Sequence, residues 1–271
     1  MYLSDLPDEA CATKGARVNN FFSHTKVVFL NELRLAIRNP VWVFFGIFQP
    51  MVYLLLFRPF LSGLVSNPGF GASSTLSFFV PGVLIMMSIF NTSFVGFPLI
   101  DKVRSGVIER WRVTPANRLS LVLGMVLKDV VTLLVQCTIL FIVAFILGFR
   151  ADSFGLLVTL LLLAFVGVMM ASISYTLALT LRDEGALAGT TNFFLLPLFM
   201  LSGIMLPVTF APKVIQNIAK FNPFAYAVNA SRSLINSTND TKSVIIAFLI
   251  FGILGIFALS MAIRAMKKAT S

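Results

Sequence analysis

The 271-residue chain is 58% hydrophobic and only 12% charged, against roughly 25% charged in an ordinary soluble domain, which excludes a soluble globular fold and leaves a membrane protein. Its net charge of +10 does not indicate nucleic acid, because the basic residues lie between long apolar runs and not along one polar face. Those runs are continuous, not alternating, so they predict membrane-crossing helices of about 20 residues each and not a β-barrel.

Met1 to Asn20 carries Asp5, Asp8 and Glu9 and no apolar core, so no ordinary cleaved signal peptide is expected and the first span would serve as its own insertion signal. Phe21 to Arg38 reads as an amphipathic interfacial helix, with Phe29, Leu30, Leu33, Ala36 and Ile37 on one face and Asn31, Arg34 and Arg38 on another. The alternative is an N-terminal extension of the first span, against which stands the Asn39-Pro40 break. Residues 1–38 are therefore read as a cytoplasmic tail and interfacial helix, and residues 39–271 as a six-span domain.

Span one is expected from Pro40 to Phe60, kinked at Gln49-Pro50, and Ser62 to Ser77 reads as a loop. Span two, Leu76 to Ile100, is interrupted at Asn91-Thr92-Ser93 and Pro98 and leads into the densest charged segment of the chain, Ile100 to Pro115. On a helix, Ile100, Val103, Val107 and Trp111 fall at spacings of three, four and four and form one apolar stripe. Lys102, Arg104, Glu109, Arg110 and Arg112 occupy its other faces, which suits an amphipathic helix at a membrane surface.

Span three, Leu119 to Phe149, is long enough to project or tilt, with Lys128 and Asp129 near the surface. A turn at Arg150 to Ser153 precedes span four, Phe154 to Leu181, whose Gly167, Ser172 and Ser174 permit close packing. Arg182-Asp183-Glu184 makes a tight polar turn into span five, Gly185 to Leu206, which opens with the small pair Gly185 and Gly189. Thr209 to Asn239 is too polar to cross, yet holds two short helical patterns, Pro212 to Lys220 and Pro223 to Ile235, expected as an outer re-entrant hairpin that needs shelter from lipid. Span six runs from Ser243 to Ile263.

With the N-terminus inside, only Arg58, Arg150, Lys213, Lys220, Arg232 and Lys242 of the 21 Lys and Arg residues fall on outer segments, which places both termini in the cytoplasm. The fold expected is thus all-α and polytopic, with six transmembrane helices in a bacterial inner membrane or plasma membrane.

No Gly-rich phosphate loop ending in Lys-Ser or Lys-Thr occurs. His24, the sole histidine, reads as an interfacial polar residue, and Cys11 and Cys137 lack metal-ligand spacing. Apart from Asp129 the spans are free of acids, whereas an ion-coupled transporter usually needs ionisable groups in the membrane. Ser172, Ser174 and Ser202 have no base beside them in sequence and read as packing residues, not nucleophiles. No catalytic residue and no metal site is expected.

The run Glu109 to Pro115, followed by Arg118, Gly124 and Asp129, resembles the cytoplasmic loop of ABC-2-type ATP-binding-cassette exporter permeases, in particular the daunorubicin-resistance-like branch. Leu201-Ser202-Gly203 with Pro207, then Asn222-Pro223 and Arg232, is similar to the fifth span and outer hairpin of the same family. The resemblance implies a membrane subunit that pairs with a second copy or close relative and works on two ATPase subunits, so that ATP and Mg act through the partner and this chain carries no cofactor. It makes Ile100 to Pro115 the coupling helix, with Arg104, Val107, Ile108, Glu109, Arg110, Trp111 and Arg112 as ATPase contacts; the alternative is a solvated loop whose arginines only enforce orientation. It also places Gln49, Tyr53, Asn91, Thr92, Asn192, Phe193 and Phe194 beside a substrate path, and Gly185 and Gly189 at a dimer contact that packing within one subunit explains equally well. The implied substrate is hydrophobic or amphipathic, a drug or a lipid-like molecule. A polysaccharide- or glycolipid-exporting permease is the nearest rival, and an ATP-independent transporter or channel a more distant one.

Overall fold

Residues 14–38, 41–65, 75–107, 118–204, 212–236 and 240–269 are described by the structure, a computed structural model, and every regular element among them is helical. In chain order they are α1 Lys14–Arg38, α2 Val41–Val65, α3 Thr75–Ser93, α4 Phe97–Arg104, α5 Arg118–Ile146, α6 Ser153–Leu181, α7 Glu184–Met200, α8 Lys213–Ala219, α9 Pro223–Ile235 and α10 Thr241–Ala269.

The segments 76–104, 118–146, 153–181 and 241–269 are long and apolar enough to cross a membrane, and a fifth crossing is present if the bent pair α1–α2 forms one. Each of α5, α6 and α10 has 29 residues, which at 1.5 Å per residue is about 43 Å, well beyond a hydrocarbon core of about 30 Å. Helix α7, with 17 residues, is shorter than the predicted span five and gives way to a turn at Leu201–Gly203; residues 205–211 lie outside the described segments. The exposed surfaces of α5 (Leu127, Val135, Ile142) and α10 (Leu249, Ile253, Phe257) are apolar, as lipid contact requires and water contact would not tolerate over such an area.

At the centre stands α3, where every residue from Leu76 to Ile89 is buried. It packs against α2, α5, α6 and α9, and a helix apolar on all sides can be satisfied only in such a position. Two cores stack along the bundle. One, at the α9 end, joins α3 to Cys137, Leu140, Leu163, Phe224, Val228 and Phe251. The other, at the α4 end, joins Leu99 and Ile100 to Met125, Val126, Tyr175, Ala178, Leu187 and Met266. The short hairpin and the charged elbow are therefore at opposite ends, as the sequence predicts.

Helix α1 begins at Lys14, not Phe21, and meets α2 at 66°, so it is no straight extension of the first span. It lies along the first half of α5: Ser120 Oγ donates to Phe21 O at 3.3 Å, and a Cβ at Gly124 would stand 2.7 Å from Val28 Cγ1. Ser62 to Val65, expected as the start of a loop, are helical. Leu61, Leu64 and Val65 prolong the apolar run across Ser62-Gly63, and adding residues to an existing helix costs far less than nucleating one. The bounds of the two short helices expected between Thr209 and Asn239, α8 and α9, match to within a residue. Asn222 caps α9 by accepting from Phe224 N at 3.0 Å, Pro223 fills the first helical position, and Asn222 Nδ2 donates to Leu198 O of α7 at 2.6 Å.

Candidate functional site

Between α3 and α4 the helix breaks at Phe94–Gly96. Thr92 and Ser93 fold their hydroxyls onto the carbonyls of Ser88 at 2.5 Å and Ile89 at 2.6 Å, a back-bonding that bends helices. From α6, Ser174 Oγ donates to Ser93 O at 2.7 Å and accepts from Gly96 N at 2.9 Å, so one hydroxyl engages two backbone groups at the break. A Cβ at Gly96 would stand 2.7 Å from the Ser174 carbonyl, which leaves room for glycine alone. Pro98 then lies in the first turn of α4.

The expected stripe from Ile100 to Trp111 is not one continuous helix. Helix α4 ends at Arg104, Gly106 takes a φ of 71°, and Ser105 Oγ returns to Asp101 O at 2.7 Å. A left-handed glycine after the last turn is a standard helix stop, and Arg104-Ser105-Gly106 supplies it. Ile100 is buried in its own subunit with Val103 packed beside it, and Val107 lies half-buried beyond the stop. Ile108, Glu109, Arg110, Trp111 and Arg112 fall outside the described residues.

Charged side chains tie α4 to its neighbours. Lys102 pairs with Glu32 of α1 at 2.5 Å. Arg104 forks between two carboxylates at the start of α7, Glu184 at 2.9 Å and Asp183 at 3.3 Å, while Asp183 Oδ1 caps α7 through Ala186 N at 2.8 Å. Deeper in the bundle, Asp129 of α5 is only 5% exposed and accepts from the Tyr175 hydroxyl of α6 and the Lys128 ammonium. An acid held by two donors in this way ties α5 to α6 through the Tyr175 hydroxyl.

The residues expected along a substrate path separate into two groups. On α2, Gln49 is exposed and Tyr53 half-buried against the core. Asn91 Nδ2 donates to Gly46 O of α2 at 3.1 Å and to Gln136 Oε1 of α5 at 2.9 Å, and Gln136 Nε2 donates to Val43 O at 3.2 Å. This polar bridge joins α2, α3 and α5. Thr92 is 1% exposed and faces the subunit interior. In contrast, Gly185, Gly189, Asn192, Phe193, Leu196 and Met200 form one exposed stripe on α7, with Phe194 exposed beside it; Phe193 and Phe194 are 72% and 60% exposed, and a Cβ at Gly189 would meet nothing within 4 Å.

Asn91→Ala removes two hydrogen bonds and orphans the Gln136 carbonyl oxygen, so a stability loss of about 1–3 kcal/mol is expected. Gln49→Ala, on an exposed face, is expected to stay within about 0.5 kcal/mol. Unfolding temperatures of the two variants in detergent check the contrast.

At the opposite end, Arg232 of α9 donates to Phe78 O at 3.3 Å, Gly203 O at 2.9 Å and Ile204 O at 3.2 Å, with its guanidinium carbon 3.8 Å from the centre of the Phe78 ring.

Four contributors escape sequence reasoning: Glu32, Gln136, Ser174 as a latch, and the Asp183-Glu184 pair as an anchor for Arg104. Their partners lie 45 to 81 residues away in sequence, and no local pattern announces them. The one available signal was Asp183 before Glu184 at a span start, a helix-capping pattern.

The profile of the ABC-2 type transporter family matches residues 23–236. Among curated relatives, the daunorubicin resistance ABC transporter permease protein DrrB1 of Streptomyces coeruleorubidus is 27% identical over 234 residues, covering 85% of this chain and 82% of the relative. A putative transport permease, ycf38, of Cyanophora paradoxa is 28% identical over 238 residues, covering 83% and 79%. Its counterpart from Pyropia yezoensis is 27% identical over 232 residues, covering 82% and 79%.

Proposed function

The chain belongs to the ABC-2 type transporter family, and from that premise we propose that it is the six-span membrane subunit of an exporter for a hydrophobic or amphipathic compound, driven by a separate ATPase. ABC-2 permeases are membrane subunits and not themselves ATPases. The observation that carries the proposal is the inner elbow: a short cationic helix, braced by Ser174, Glu32, Asp183 and Glu184, that leads straight into Ile108-Glu109-Arg110-Trp111-Arg112. Such a segment offers an aromatic anchor ringed by charges, the composition of a docking hot spot.

Two copies of the ATPase would dock there, one per permease, and the second permease copy would cover the open stripe of α7, where Gly185 and Gly189 allow close approach and Asn192, Phe193 and Phe194 line the path between copies with Gln49 and Tyr53 of α2. A compound of the daunorubicin type, planar and amphipathic, suits a path lined by aromatic faces. Both termini and the elbow would lie in the cytoplasm of a cell membrane, and the spans would re-pack between two arrangements as the motor closes.

Co-expression with the cognate ABC ATPase tests this. The wild-type permease is expected to yield a complex whose ATP hydrolysis is inhibited by vanadate. Trp111→Ala, and to a smaller extent Glu109→Ala, is expected to weaken assembly by about 2 kcal/mol, roughly 30-fold in affinity. Unchanged assembly and transport in both variants would reduce the segment to a solvated loop, and transport in liposomes on an ion gradient alone would defeat the whole reading.

A further inference from the structure

Helix α7 is embedded through only a few of its residues. Its buried residues are Leu187, Thr191 and Leu195, its outward stripe is exposed among the described residues, and the Thr191 hydroxyl is buried with no hydrogen-bond partner among the described residues. Its inner end is held by two things: Leu187, set in the core that contains Leu99 and Ile100 of α4, and the fork from Arg104 to Asp183 and Glu184.

The fork has more consequence than its energy suggests. These side chains are about half exposed, and exposed ion pairs contribute little to stability. Yet the planar guanidinium fixes two carboxylates at once, a geometry that lysine cannot reproduce. One of those carboxylates also caps α7, so the last residue of α4 and the first turn of α7 share a single bonded unit. Charge and helix polarity agree, with a cation at the C-terminus of α4 and acids at the N-terminus of α7.

We propose that Arg104 is a positioning residue for transport, acting inside its own chain: the Arg104–Asp183–Glu184 clasp makes the elbow helix and the start of α7 move as one body, carrying the motor's stroke into the helix with the open stripe. This rests on the permease reading above but differs from a docking role for Arg104, in which its guanidinium would contact the ATPase.

Amide hydrogen exchange on the permease–ATPase complex in nanodiscs tests it, with and without trapping by ATP and vanadate. In the wild type, trapping is expected to shift exchange in α4 and in the first turn of α7 together. In Arg104→Glu the shift persists in α4 and is lost in α7, while the amount of co-purified ATPase is unchanged. Restoring opposite charge, Arg104→Glu with Glu184→Arg in an Asp183→Asn background that keeps the cap, brings the α7 shift back, and Arg104→Lys recovers only part of it. Loss of ATPase co-purification in Arg104→Glu without rescue by the reversal would make Arg104 a docking contact and overturn the clasp. A wild-type-like α7 shift in Arg104→Glu would overturn it too. If the wild type recruits no ATPase, the permease reading falls first; the clasp is then supported only if resting protection of the first turn of α7 drops in Arg104→Glu and returns in the reversal, and is overturned if that protection does not change.

Discussion

Replacing Arg232 with alanine is expected to lower stability by about 3–5 kcal/mol, with several charge-assisted bonds lost at about 1.5–3 kcal/mol each and partial relaxation offsetting part of the loss. Three carbonyls accept from this one side chain: Phe78 O in the first turn of α3, and Gly203 O and Ile204 O just beyond α7. Gly203 O and Ile204 O lie beyond the end of α7, where regular helix bonding does not satisfy them. Gly203 has a φ of 72° and ends the turn after α7, and Phe78 is 5% exposed, so water does not readily replace the guanidinium. Buried backbone carbonyls need a hydrogen-bond partner, and Arg232 supplies one to Gly203 O and Ile204 O. The cation over the Phe78 ring at 3.8 Å adds about 1 kcal/mol or more where it is shielded from water. Unfolding of the purified chain in detergent should shift by on the order of 10 °C. Arg232→Lys should recover about half, because an ammonium carries the charge but cannot spread its donors over three acceptors. A loss below about 1 kcal/mol for Arg232→Ala would mean the hairpin is held by its apolar contacts alone.

That residue also shows how far the sequence carries the fold. Apolar runs locate the long helices, since only length and hydropathy are needed, and the two short helices between spans five and six are legible because Asn222-Pro223 and the break before it state the boundaries locally. The polarity of Thr209 to Asn239 even says that shelter is required. What supplies the shelter is not legible: Arg232 meets Phe78 across 154 residues, and nothing near either residue names the other. The elbow repeats the pattern. Its interruption after Asn91-Thr92-Ser93 is readable from small polar residues and Pro98, but the Ser174 hydroxyl that stabilises it comes from another helix. Apolar spacing from Ile100 to Trp111 outweighed the stop written in Ser105-Gly106, where one left-handed glycine decides the local geometry. Candidate site residues fared according to the same rule. Gly185, Gly189, Asn192 and Phe193, named from the family resemblance and the small pair, share one exposed face of α7, whereas the contacts of Asn91 and Arg104 depend on partners distant in sequence.

Among the described glycines with φ below zero, Gly155→Ala is expected to be the most disruptive added methyl. In the first turn of α6, a Cβ at this position would stand 2.2 Å from the backbone oxygen of Leu234 and 3.0 Å from its carbonyl carbon. Ordinary contact needs more than an ångström of additional separation, and no rotamer change can provide it, because the obstacle is backbone on α9. Alanine would otherwise favour the helix by about 1 kcal/mol, so the sign depends on whether α6 and α9 can separate. They are held together from both sides: α9 is bonded to α3 and the end of α7 through Arg232 and to Ser77 O through Asn236 at 3.4 Å, and α10 packs against both α6 and α9. Moving α9 outward would stretch those bonds along with the apolar contacts of Phe224 and Val228 in the core. A net loss of about 2–3 kcal/mol follows, at the upper end of overpacking costs. Gly252→Ala is the matched control, since its Cβ would meet only Phe165 Cε1 at 3.8 Å, and it is expected to be neutral or slightly stabilising. Side-by-side melting of the two variants decides the matter: if Gly155→Ala melts with Gly252→Ala, α9 is free to move away from α6 and the close approach at Leu234 is not a fixed contact.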